Sequence, residues 1–171
     1  TPKTKVMILN TPANPTGAMW PLEVTKALAE MCLEKGILLI SDEIYSMFSY
    51  DGPFISPAQF NPQTLVIDGF SKSHAMTGWR IGWIIGPEDA IAKILDISTV
   101  NAYGVPGFIQ DAALFALNAG DALETEVAEV LPRLVEAAAA ASAALGAMVV
   151  LTTSTLNRVM VVELALPALL P

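Results

Sequence analysis

The feature that most constrains this chain is a short strand, a helix and a second short strand, in that order. Lys5 to Asn10 and Ile37 to Ser41 are apolar runs bounded by turn residues, as buried strands are. Between them Val24, Ala27, Leu28, Met31 and Cys32 recur at helical spacing, and Gly36 stands where a helix stops. A helical crossover returns the chain to the same end of the sheet, so the two strands are expected to be parallel. Leu65 to Asp68 and Arg80 to Gly86 are further strand candidates. Pro87, Glu88 and Asp89 open a helix through Ile91, Ile94 and Leu95, and another is expected over Ile109 to Asn118. The pattern predicts an α/β fold of three layers, α/β/α, around a mostly parallel sheet.

Beyond Gly120 the stretch Leu123 to Leu145 is rich in Ala and Glu and reads as helix, with Pro132 interrupting it. Met148 to Leu151 and Val159 to Leu166 read as two more strands. Neither an internal repeat nor a linker between two complete domains is visible. Apolar residues are 53% of the chain and charged residues 15%, against about 45–50% apolar in an average soluble domain. The excess implies surface destined for burial against something else.

The charge balance narrows the partners. Nine basic residues against seventeen acidic give a net charge of −8, so there is no basic face for nucleic acid. The lone Cys32 cannot make an internal disulfide and no paired-cysteine or Cys/His metal motif occurs, which fits a reducing, cytoplasmic setting. Charges or prolines break every apolar run before about 18 residues, so no membrane span is expected. The chain opens at Thr1 without a leader pattern, and a truncated N-terminus is expected.

Polar clusters are read as standing immediately after the strand candidates, where open parallel sheets bind their ligands. The first, Asn10 to Gly17 (NTPANPTG), has prolines and a glycine that stiffen a loop able to aim an amide; it also fits a plain strand-to-helix turn. The second is Ser41-Asp42-Glu43-Ile44-Tyr45. One of its acids is expected to point inward, where a carboxylate needs a cation or strong donors; Asp42 as a helix N-cap is the plainer alternative. The third, Asp68 to His74, contains Ser71 and Lys72, and the fourth, Met76 to Gly82, contains Arg80. A lysine among small polar residues, ahead of an arginine in a glycine-punctuated segment, is unusual for a solvated surface. His74 is the only histidine and has no nucleophile elbow with it, so it reads as a packing or hydrogen-bonding residue. Trp20, Trp79 and Trp83 read as core or interface aromatics.

Taken in order, NPTG at Asn14 to Gly17, DEIY at Asp42 to Tyr45 and SKSHAMTGWRIG at Ser71 to Gly82 resemble the class I/II aminotransferases, pyridoxal-phosphate (PLP) enzymes of fold type I. The resemblance covers about residues 5 to 120, the later half of that family's large cofactor domain. It implies that Lys72 holds the cofactor as a Schiff base, that Asp42 pairs with the pyridine nitrogen, and that Asn14 and Tyr45 hydrogen-bond the phenolic oxygen. Ser71 and Arg80 would bind the phosphate. Each role is chemically apt. A carboxylate beside the ring nitrogen stabilises its protonated form, donors to the phenolic oxygen keep the imine reactive, and a guanidinium can fork onto a phosphate.

The same resemblance implies a transaminase that moves an amino group from an amino acid to a 2-oxo acid, in a homodimeric parent longer than this chain. Tyr103-Gly-Val-Pro-Gly-Phe-Ile-Gln-Asp-Ala-Ala resembles the branch that includes bacterial aspartate, alanine and arginine–pyruvate transaminases. Residues 1–120 are expected to be a PLP-binding large-domain portion, 121–145 a helix leading toward a small domain, and 146–171 an atypical tail. Arg158 lies in no recognisable substrate-carboxylate motif. The competing readings are another fold type I enzyme, a carbon–sulfur lyase or decarboxylase, and a noncatalytic PLP-fold module or inert fragment.

Overall fold

The computed structural model describes residues 1–50 and 52–120, the isolated helical positions 122, 125, 129, 130 and 133, and the backbone of strands at Met148–Thr153 and Met160–Ala165. Four strands form the main sheet: β1 (Val6–Asn10), β2 (Leu38–Asp42), β3 (Leu65–Gly69) and β4 (Gly82–Ile85), in that spatial order. Helix α1 (Leu22–Glu34) joins β1 to β2, which are parallel as its position requires. β3 continues parallel to β2, whereas β4 turns back antiparallel to β3. The sheet is therefore mixed and mostly parallel. It is followed by α2 (Phe70–Ser73), α3 (Glu88–Ala102) and α4 (Gly107–Asn118). Strands β5 (Met148–Thr153) and β6 (Met160–Ala165) form an antiparallel pair. The helix expected over 123–145 falls almost entirely outside the described residues, as does Arg158.

Helix α1 ends as the sequence requires. Gly36 takes a φ of 61°, a left-handed conformation that costs glycine nothing, and the Ile37 N–H reaches back to the Cys32 carbonyl at 2.9 Å. The helix packs Ala29 and Cys32 on Leu9 and Leu39 in a fully buried cluster, with Met7, Leu28, Met31 and Phe60 around it. Asn61, also buried, ties the following connection to this helix: its Nδ2 donates to the Ala29 carbonyl at 3.2 Å and its Oδ1 accepts from the Gln63 N–H at 2.9 Å. A second cluster joins Phe70 of α2 to Ala113 and Ala116 of α4, with Ile81 and Trp83 against it.

The register assigns side chains to faces. Val6, Ile8, Ile67 and Ile84 lie on the face opposite Leu9 and Leu39, and all four are exposed. This is the uncovered apolar surface that the composition implies. The α/β architecture with an incomplete outer layer agrees with the sequence expectation.

Candidate active site

Asn10 and Asp42 are the last residues of β1 and β2 and are paired in register, so their side chains leave the same face side by side. Asn10 Nδ2 donates to Asp42 Oδ2 at 3.0 Å, and the Ile44 N–H approaches Asp42 Oδ1 at 3.4 Å. Asp42 caps no helix; the 3-10 segment Ser46–Phe48 begins after Tyr45. The network continues from Asn10 Oδ1, which accepts from the Asn14 N–H at 3.1 Å, to Asn14 Nδ2, which donates to the Tyr45 hydroxyl at 3.3 Å. It ends where Lys72 Nζ lies over the Tyr45 ring, 5.6 Å from its centroid. Asp42, Asn14, Tyr45 and Lys72, drawn from three separate clusters, are thus linked in space at the carboxyl ends of β1, β2 and β3. The link passes through Asn10, which motif reading treated only as the start of a loop. Its place at the end of the strand run Lys5 to Asn10 is the sequence signal; its pairing with Asp42 is set by strand register.

Ser71 and Arg80 are placed differently. Ser71 is half-buried in α2 beside Lys72 in the chain. Arg80 is exposed, and its Nη1 donates to the Thr77 carbonyl at 2.9 Å, folding the guanidinium onto its own turn. Among the described residues no hydrogen bond joins either one to the Asp42–Asn14–Tyr45 network. Arg80 holds a left-handed backbone, φ 53° and ψ 48°, at the end of the 3-10 segment Thr77–Trp79. A non-glycine residue there is strained, by about 1–3 kcal/mol. The fourth cluster also does not follow a strand, as expected from sequence, but precedes β4. It reaches the same end of the sheet because β4 is antiparallel, which sets Gly82 beside Gly69.

The inward-pointing acid of the second cluster is Glu43, which is buried while Asp42 is half-buried. Of the two kinds of partner expected, a cation or strong donors, it meets a donor. Ser56 Oγ donates to Glu43 Oε1 at 2.6 Å and also accepts from the Ala58 N–H at 3.2 Å, capping the 3-10 segment Pro57–Gln59. Burial raises the Glu43 carboxyl above the ordinary carboxylate range, the Ser56 and Ser41 hydroxyls pull it down, and the neighbouring Asp42 charge adds to the rise. The Glu43 N–H and carbonyl are bonded to Ile67 and Ser46 at 2.9 and 2.8 Å, so this residue anchors the turn that carries Tyr45. His74 bonds Ser73 Oγ through Nδ1 at 2.8 Å and packs edge-on to Phe70. Trp83 is a core aromatic against Phe70, whereas Trp20 and Trp79 are exposed.

Fold and side-chain cluster together define an α/β domain with a candidate ligand site at the carboxyl ends of its strands, built around a lysine, a carboxylate, a phenol and an amide. Among the described residues no cluster of potential metal ligands occurs, and no helix is long and apolar enough to cross a membrane. The chain belongs to the aminotransferase class I and II family, whose sequence model matches residues 1–165. It is 46% identical over 122 residues to the arginine–pyruvate transaminase of Pseudomonas aeruginosa, an alignment covering 70% of this chain and 31% of that protein. The aspartate aminotransferase of Geobacillus stearothermophilus is 45% identical over 121 residues, covering 68% and 31%. Among solved structures, the Thermus thermophilus aspartate aminotransferase with maleate superimposes with a TM-score of 0.79 at 37% identity, covering 88% of this chain and 40% of that one. The alignments thus take in less than a third of the length of these curated relatives.

Proposed function

We propose that this chain forms the cofactor-lysine portion of a PLP-dependent transaminase, which moves an amino group from an amino acid to a 2-oxo acid. The carrying observation is the convergence of Lys72, Tyr45, Asn14 and Asp42, contributed by three strand ends, in a chain of the aminotransferase family. The donor set suits the cofactor: an amine for the aldehyde, an acid for the ring nitrogen, and two neutral hydrogen-bonding groups for the phenolic oxygen. When bound through Lys72, pyridoxal phosphate supplies an electron sink for charge developing at the substrate α-carbon.

Asn10 and the Ile44 N–H hold both oxygens of Asp42, which orients that carboxylate toward the ring nitrogen. Because Asn14 donates to the Tyr45 oxygen, the Tyr45 hydroxyl keeps its own proton to donate to the phenolic oxygen. Lys72, with its amine free and neutral, would be the base that moves the proton of the substrate α-carbon. Ser71 and Arg80 are the phosphate ligands in this reading; the single Nη1 bond to the Thr77 carbonyl leaves the other guanidinium N–H groups of Arg80 to serve. The parent is read as longer than this chain, supported by the 31% span of its relatives, and as a homodimer, a reading with which the exposed apolar side chains agree.

The test is borohydride reduction of the chain incubated with PLP, followed by peptide mapping. A stoichiometric label on Lys72, abolished in Lys72→Ala, is expected; label spread over other lysines and unaffected by that substitution would refute the assignment. With the full-length parent, release of a 2-oxo acid together with pyridoxamine phosphate is expected, and release of ammonia with pyruvate would mean elimination instead.

A further inference from the structure

We propose that in the chain without cofactor the charged Lys72 amine rests on the face of the Tyr45 ring, so that Tyr45 positions the lysine as well as the cofactor. The functional meaning rests on Lys72 being the cofactor lysine; the placement does not.

Nζ lies 5.6 Å from the ring centroid, inside the roughly 6 Å over which an ammonium is attracted to an aromatic face. Lys72 and Tyr45 are both half-buried, so water screens the attraction less than at an open surface. Among the described residues no ion pair of Lys72 with a carboxylate is seen, and its charged end lies over the ring.

The ring is itself well held. Its hydroxyl takes a hydrogen bond from Asn14, it lies tilted against Phe48 at 6.3 Å between centroids, and the Tyr45 backbone carbonyl accepts from the Phe48 N–H at 2.9 Å. A four-carbon stem would otherwise let the amine sweep a large volume at an entropic advantage. Resting on Tyr45 instead, the amine stays next to the groups assigned to the cofactor ring. Before loading, this keeps the ammonium beside the place of the incoming aldehyde, where loss of a proton to water frees the amine to attack. Tyr45 therefore has two separable parts, a hydroxyl for the Asn14 network and a π face for Lys72.

The whole chain, free of cofactor, is reductively methylated with carbon-13 formaldehyde, which leaves the lysines charged, and its methyl signals are recorded by NMR. The Lys72 signal is identified by its loss in Lys72→Arg. An upfield ring-current shift relative to exposed Lys35 is expected in the native sequence, retained in Tyr45→Phe and lost in Tyr45→Leu. Trace acetylation with peptide mapping is the second measurement: Lys72 labelling relative to Lys35 should rise on the order of threefold in Tyr45→Leu and stay level in Tyr45→Phe.

A Lys72 signal that coincides with Lys35 in the native chain overturns the proposal, whether or not either variant folds. So does Tyr45→Phe behaving like Tyr45→Leu, which would assign the effect to the hydroxyl. Borohydride labelling separates the two claims, because a ring-shifted Lys72 that PLP fails to label leaves the resting place standing and removes the transaminase reading.

Discussion

Asp42 and Glu43 are adjacent acids with opposite surroundings, because successive residues at a strand end leave on opposite faces. Asp42 joins the site through Asn10, and Glu43 turns into the protein to meet Ser56. Burial lifts the Glu43 carboxyl above its unfolded value, so the folded state binds this proton more tightly than the unfolded state. Stability from this group is thus fully present below the ordinary glutamate range and is lost as pH rises through the raised folded value. Glu43→Gln, which cannot ionise, should melt at a higher temperature than the native chain at neutral pH. That gap should close as the buffer is brought toward pH 4, as thermal melts across pH will record. Ser56→Ala removes both the bond to Glu43 and the cap on Ala58, and should lower unfolding free energy by about 1–3 kcal/mol in urea titrations.

At the scale of elements, the junction of β3 and β4 governs where Lys72 hangs. A Cβ on Gly82 would stand 2.7 Å from the Asp68 carbonyl oxygen, and one on Gly69 would stand 2.8 Å from the Gly82 Cα. Both obstacles are backbone, so relief requires the strands to part. Gly82→Ala should therefore destabilise the chain by about 1–3 kcal/mol, read by thermal or urea unfolding, and should also reduce borohydride labelling of Lys72. The sequence marked both glycines as parts of motifs without disclosing that they face each other. That pairing follows from β4 running antiparallel, a fact about the partner strand that no local pattern in Gly82–Ile85 encodes. By contrast α1 was legible almost residue for residue, since its apolar spacing and its Gly36 stop are local.

At the scale of the whole molecule, many large apolar side chains among the described residues stand in solvent. Leu95 and Val100 of α3 are 64% and 74% exposed, and Phe108 and Phe115 of α4 are 68% and 73% exposed. Exposed apolar surface of this kind marks contact surfaces or association-prone ones. The native chain should bind a hydrophobic dye and sediment with a concentration-dependent mass. Val100→Lys combined with Phe115→Lys should weaken both signals while leaving the helical circular dichroism intact; unchanged dye binding would place the sticky surface elsewhere.

By itself the sequence determined the strand–helix–strand unit, the family, and the residue types that any shared site would draw on. Those features are written in periodicity and in contiguous motifs, which neighbouring residues enforce. Tertiary structure alone decided that Asn10 bridges Asp42 and Asn14, that Glu43 and not Asp42 is the buried acid, and that a hydroxyl rather than a cation partners it. It also decided that the amine of Lys72 rests on the ring of Tyr45. Each of these depends on register between strands far apart in the chain. Register is set by how whole faces are buried together, and a one-residue slip would reverse every assignment.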